Sequence, residues 1–265
     1  MRLRTVLPIA AALLGAAPLA AQEKALRVDM NIPALRLTLY EGDEILRSYP
    51  VAVGKKGHDT PTGSFSISHA EWNPWWRPPA SEWARNEKVT PPGPNNPMGR
   101  VKLFFLPLYF FHGTPESGSI GTPASHGCVR MLNDDVIALS RILHERVAPQ
   151  VNSAQIDRIL ANSRQTRRVN FQESVPVTIR YDLVSVEDGA VTIYPDIYDY
   201  RSLHAEAVIQ ALMRAGYDVS AVSREDVDRL LERGRGIDER LSLTVEEAFG
   251  SEVAATRSMA VAAGR

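Results

Sequence analysis

The 265-residue chain contains one cysteine, Cys128. No intramolecular disulfide can form, so stability must come from core burial, and an unpaired thiol is left to explain. The chain also lacks a surplus of positive charge. Its 30 Lys and Arg face 31 Asp and Glu, a formal net charge of −1. That argues against a nucleic-acid-binding surface, which needs a basic face. Long apolar runs are missing as well: the longest, Thr5 to about Ala17, falls short of the roughly 20 residues a membrane span requires, and Pro8 lies within it. Arg2 and Arg4 precede this run, and Leu19-Ala20-Ala21 follows it. A basic start, an apolar middle and a small-residue cleavage site predict a signal peptide over residues 1–21 and export to the periplasm or cell envelope. No cysteine follows the run, which excludes a lipid-modified N-terminal cysteine.

What is present is a globular composition, 44% hydrophobic and 23% charged, suited to a sizeable core. Leu35 to Tyr40 alternates apolar and polar residues, and Glu41-Gly42-Asp43 turns the chain into a second strand, Ile45 to Val53. A loop from Gly54 to Gly63 leads to a third strand, Ser64 to Ser68. All four tryptophans (72, 75, 76 and 83) fall within residues 71–99, among seven prolines. Such a stretch sustains neither helix nor central strand, and it reads as a lid, as a loop closing the core, or as both. Val101 to Phe111 predicts one or two buried strands. Asn133 is placed to cap a helix running to about Arg146, with Val136, Leu139, Leu143 and Val147 on its apolar face and Pro149 ending it. Residues 155–163 predict a short helix, and Val175 to Val184 with Ala190 to Tyr194 a last hairpin. Beyond Tyr200 the pattern turns helical: residues 202–215 stopped by Gly216, then a helix from Ser223 to Gly234. From about Gly250 an alanine-rich tail is expected to fray.

The stretch that carries chemistry is Ser125-His126-Gly127-Cys128-Val129-Arg130. A thiol attacks as thiolate, and neighbouring His126 and Arg130 predict a lowered pKa. His112 lies sixteen residues upstream, where a strand–loop–strand path can bring it back beside Cys128 as the base of a cysteine–histidine pair. Gly127 leaves room for a carbonyl, and nearby backbone N–H groups could form an oxyanion hole. His58, His69, His144 and His204 are read as surface or satisfied core residues. His112, His126 and Cys128 are also zinc-ligand types, but no further pairing such as Cys-x-x-Cys accompanies them, and no metal is expected.

His112-Gly113-Thr114 followed by Ser125-His126-Gly127-Cys128-Val129-Arg130 resembles the signature of YkuD-type L,D-transpeptidases. Val53-Gly54-Lys55 with Thr60-Pro61-Thr62-Gly63-Ser64-Phe65 resembles a second family element. Pro91 to Lys102 and Asp196-Ile197-Tyr198 are similar to the larger Gram-negative branch. The likeness spans about residues 26–200. It implies Cys128 as nucleophile and His112 as general base, oriented by the Gly113 carbonyl. Ser125, His126, Gly127 and Arg130 would shape the pocket and oxyanion site. The implied substrate is a peptidoglycan tetrapeptide stem, attacked at its third residue with release of D-alanine. The acyl group then passes to another stem or an envelope protein. No cofactor is implied.

Three readings of function follow: transpeptidation, hydrolysis on the same site as an L,D-carboxypeptidase, and a catalytically silent peptidoglycan-binding protein. The expected architecture is a mainly β catalytic domain over residues 22–200, a sandwich-like mixed sheet with an accessory helix. A helical extension over 201–265 would follow it. Helices beyond Tyr200 and the short stretch between His112 and Ser125 depart from the family pattern. If His112 holds Cys128 as thiolate, alkylation should run well below the pH of an ordinary cysteine.

Overall fold

The computed structural model describes residues 25–257; the expected signal peptide lies outside the described residues. A mixed sheet of eight strands dominates. Three strands open it: β1 (Leu26–Asn31), β2 (Arg36–Glu41) and β3 (Glu44–Pro50). A two-residue strand β4 (Val53–Gly54) and the long β5 (Gly63–Trp72) follow. The chain continues through β6 (Val101–Leu106), β7 (Tyr109–Thr114), a short β8 (Pro123–Ser125) and β9 (Val129–Leu132). After helices α1 (Asn133–Val147) and α2 (Ser153–Ala161), β10 (Arg167–Arg180) returns to the sheet centre. The spatial order is β3-β2-β1-β10-β5-β6-β7-β9. Only β1–β10 and β7–β9 pair in parallel there; the other neighbours are antiparallel. β4 and β8 pair as a separate two-stranded ribbon.

The period-two alternation of strand side chains decides which face is core. Ala70, Leu103, Phe111 and Val129 fall in one transverse row, all buried. The apolar face of α1 (Val136, Leu139, Leu143) belongs to the same core. One residue along each strand, Glu71, Lys102, His112 and Arg130 form the next row and face the opposite way. A one-residue slip would exchange the two rows, so burial of the first pins the second to the functional face.

A second, smaller apolar cluster gathers the C-terminal residues. It joins β11 (Val184–Glu187), β12 (Ala190–Ile193) and β13 (Leu241–Thr244) to helices α3 (Ala205–Arg214), α4 (Arg224–Gly234) and α5 (Val245–Ala255). The mainly β reading stands. Three local expectations need correction. The last hairpin is β11–β12 alone, because Val175 to Arg180 continues the central strand β10. Of the tail expected to fray from Gly250, the part to Ala255 is helical, bent at Gly250 in a helix started by a Thr244–Glu247 capping box, and residues 258–265 lie outside the described residues. Asn133 does not cap α1. The N-cap position is Leu132 without a side-chain bond, while Asn133 accepts from the Arg100 N–H at 2.8 Å and donates to the Thr114 carbonyl at 3.1 Å.

Candidate active site

Parallel pairing of β7 with β9 places His112 opposite Arg130. Cys128, two residues before Arg130, lies on the same side, and both Cys128 and His112 line one cavity of about 1230 Å³. The hairpin between β6 and β7 turns at Leu108, whose φ of 68° is in the left-handed region. The Cys128 thiol donates to the Leu108 carbonyl at 3.4 Å.

His112 is 2% exposed, and its Nδ1–H donates to the Gly113 carbonyl at 2.7 Å. A carbonyl only accepts, so the neutral ring carries its proton on Nδ1 and keeps Nε2 as acceptor. Gly113 holds that carbonyl in place through close packing. A Cβ there would stand 2.2 Å from Asn133 Oδ1, so only glycine lets Asn133 bridge Arg100 and Thr114 underneath.

Electrostatics correct one expectation. Burial pushes the Cys128 thiol up to about 11, against the lowering effects of a Phe110 backbone hydrogen bond and of Lys102 and Arg130. Burial also pushes His112 down to about 4, opposed by the Gly113 hydrogen bond and aided by Arg130 and Lys102. At neutral pH the pair is therefore thiol and imidazole, not thiolate and imidazolium. Desolvation of both groups outweighs the nearby cations.

The remaining expected residues converge on the same place. Ser125 Oγ accepts from the Gly127 N–H at 3.0 Å and donates to the Cys128 carbonyl at 2.5 Å, tying the turn before Cys128. The Gly127 N–H is thus already engaged, and Gly127 serves the pocket through shape. Its φ is 109°, and a Cβ there would sit 2.8 Å from Tyr109 Cε1. Arg130 pairs with Glu116 at 2.8 Å. His126 stacks on Trp83 (ring centroids 4.0 Å apart, planes 4° from parallel), and burial lowers its pKa.

Trp72 enters the core, whereas Trp75, Trp76 and Trp83 line the cavity, so the Trp-Pro segment both closes the core and walls the site. Of the histidines set aside, His144 is a satisfied core residue and His204 accepts at the start of α3 from the Ala207 N–H. His58, read as structural, instead lines the cavity edge-on to His126 at 4.6 Å. Three further residues were missed. Thr60 is buried; its Oγ1 donates to the Gly127 carbonyl at 2.9 Å and accepts from the Gly54 N–H at 2.9 Å, and its own N–H donates to Tyr198 Oη at 3.1 Å. The available signal was the coexistence of Thr60 and Tyr198 in separate family-like motifs. Lys102 and Glu71 also line the cavity, with no signal beyond strand alternation.

Comparison with known proteins agrees with this geometry. Residues 25–152 match the model of the YkuD L,D-transpeptidase catalytic domain. The probable L,D-transpeptidase YbiS of Escherichia coli K12 is 30% identical over 182 residues, 59% of this chain and 58% of YbiS. The probable L,D-transpeptidase YcfS of the same strain is 29% identical over 203 residues, 65% of this chain and 62% of YcfS. The probable L,D-transpeptidase ErfK/SrfK of Salmonella typhimurium is 33% identical over 116 residues, 40% of this chain and 38% of the relative. The chain thus spans less than two thirds of these curated relatives. Over residues 25–152, just under half of its length, the chain is similar to the YkuD family of L,D-transpeptidase catalytic domains.

Proposed function

We propose that this chain is an exported cysteine acyltransferase that remodels peptidoglycan. Cys128 is its nucleophile and His112 its general base. The observation that carries the reading is the His112 ring held by Gly113 with Nε2 left as acceptor, in the cavity that also contains the Cys128 thiol. As Sγ attacks the carbonyl of the third residue of a tetrapeptide stem, the thiol proton passes to His112 Nε2. The carbonyl becomes a tetrahedral oxyanion in the pocket bounded by Ser125, His126, Gly127 and Arg130. Its collapse breaks the amide bond to the terminal D-alanine, whose amine takes the proton from His112, and leaves a thioester on Cys128. An amine on a second stem or an envelope protein then attacks the thioester. His112 accepts the amine's proton and returns it to the departing thiol, leaving a 3→3 or protein cross-link. A neutral starting pair suits this cycle, because His112 is available as a base throughout the neutral range.

Hydrolysis differs only in the second nucleophile, water in place of an amine. A silent binding protein would have no use for the oriented imidazole. Mass spectrometry of disaccharide-tetrapeptide fragments incubated with the mature chain and with Cys128→Ala separates these readings. Loss of D-alanine with dimers joined through the third residues is expected. Tripeptide monomers alone would assign a carboxypeptidase. No Cys128-dependent product, with sacculus binding retained, would favour the silent protein.

A further inference from the structure

The row that carries His112 extends across the sheet with charges at each end. Glu71 on β5 registers with Lys102 on β6, Lys102 with His112 on β7, and His112 with Arg130 on β9. Lys102 Nζ lies 3.0 Å from Glu71 Oε1, and the two side chains are 11% and 22% exposed. The ammonium also sits 5.1 Å from the centroids of both Phe104 and Phe110 and 3.4 Å from the Trp75 carbonyl. Of the other charged groups on the cavity wall, Asp59 is tied to Tyr200, Glu82 to Arg85 and Arg130 to Glu116, all outside it, while Arg77 lies over the Trp75 ring at 5.6 Å. In the Glu71–Lys102 pair both members line the cavity.

An enclosed ion pair is weak evidence of stabilisation, since desolvation consumes most of its attraction. Beside a substrate wall it offers something else: a cation and an anion side by side, an arrangement complementary to a zwitterion presented the other way round. An incoming carboxylate meets Lys102 while the adjoining ammonium meets Glu71, and each charge keeps a partner as water leaves. A side chain ending in a bare ammonium satisfies Glu71 only and competes with Lys102 for it, so discrimination includes a repulsive element.

We propose that Glu71 and Lys102 are specificity-determining residues that select a donor stem whose third residue ends in an amino-acid zwitterion over one ending in a bare ammonium. This rests on the acyl-transfer reading above and assigns the wall of that site its substrate class.

The test uses two synthetic tetrapeptide donors identical except at the third residue, meso-diaminopimelate or lysine. The mature chain, Lys102→Met, Glu71→Gln and the Lys102→Met/Glu71→Leu double variant are assayed for D-alanine release. Binding of each donor to the same set built on Cys128→Ala is measured by calorimetry. Taking the ratio of the two donors cancels any effect of Lys102 on the chemistry common to both. The expected result is at least a tenfold preference for the zwitterionic donor in kcat/KM and Kd, collapsing toward unity in the double variant, with a circular dichroism spectrum that remains native. Equal use of both donors by the unaltered chain, or a preference unchanged in a folded double variant, overturns the proposal. If neither donor is turned over, the acyl-transfer reading fails, while the binding ratio still decides the selectivity.

Discussion

Two buried histidines occupy different regions of the molecule under nearly the same local rule. His112 on β7 donates from Nδ1 to the Gly113 carbonyl, and His144 on α1 donates from Nδ1 to the Ser140 carbonyl, both at 2.7 Å. Burial lowers the pKa of each. They differ in what the second nitrogen meets. His144 Nε2 accepts from Trp72 Nε1 at 3.3 Å, within a core closed by Trp72 and Phe171. His112 lines the cavity that holds Cys128. Burial and a backbone hydrogen bond therefore do not distinguish a proposed catalyst from a core residue; what the second nitrogen meets does.

The sharpest break in this comparison is truncation of each ring. His112→Ala is expected to lower kcat/KM by about 10³-fold or more, the range for loss of a general base that acts as a unit with its nucleophile. His144→Ala should instead destabilise the fold by about 2–4 kcal/mol, through a core cavity and an orphaned Trp72 N–H, and leave kcat/KM per folded molecule near that of the unaltered chain. Denaturant midpoints and titrated turnover check both. Equal loss of turnover in the two variants would remove the distinction.

Acid should expose what the two rings share. His112 titrates near 6.5 when unfolded and about 4 when folded. The unfolded chain therefore binds the proton first, and stability present above pH 6.5 is lost as pH falls toward 4. For a fully buried ring the loss approaches about 3 kcal/mol. His144 adds in the same direction. The thiol acts at the other end: with Cys128 raised to about 11, stability falls as pH rises past its ordinary 9.0. Iodoacetamide labelling of Cys128 should accordingly be slow at pH 7 and climb about tenfold per unit above pH 9. Fast labelling that is flat below pH 7 would mean a preformed ion pair.

Much of the site was readable because its chemistry is local in sequence. Ser125 to Arg130 and His112-Gly113 occupy two short segments, and strand pairing brings them together as the strand–loop–strand path predicted. The direction of the pKa shifts was not readable, since proximity of Arg130 is visible in sequence and depth of burial is not. Asn133 looked like a cap for the reason that Asn usually is one; its tertiary partners at Arg100 and Thr114 lie 33 and 19 residues away. β13 was missed because a four-residue strand, Leu241–Thr244, gains its identity only by pairing with β12.

Thr60 tests a milder contrast, between the residues proposed to react and one proposed to position them. Thr60→Val keeps the volume and removes the hydroxyl that bridges Gly54 and Gly127. A loss of about 1–3 kcal/mol in stability is expected, with a drop in kcat/KM of about tenfold from displacement of the turn before Cys128. Thr60→Ser, which restores the hydroxyl, should recover most of both. Activity that follows the lost methyl, and not the lost hydroxyl, would assign Thr60 to packing.

The smallest expected effect concerns a third histidine. Trp72 meets His144 edge-on at 5.4 Å inside the core, while Trp83 lies flat against His126 at 4.0 Å with 37% of its surface exposed. The core pair is enclosed by neighbours that would hold either ring alone. The cavity pair joins the Trp-Pro segment to the turn before Cys128, with His58 edge-on to His126 beside it. Replacing Trp83 with leucine removes the stack, worth about 0.5–1.5 kcal/mol, at a position where little core packing is lost. The expected consequence is a rise in KM of a few-fold with kcat close to unchanged, because the wall loosens while Cys128 and His112 keep their supports. Tm should shift by no more than the equivalent of about 1.5 kcal/mol. A fall in kcat at constant KM would instead mean that the stack orients the turn carrying Cys128.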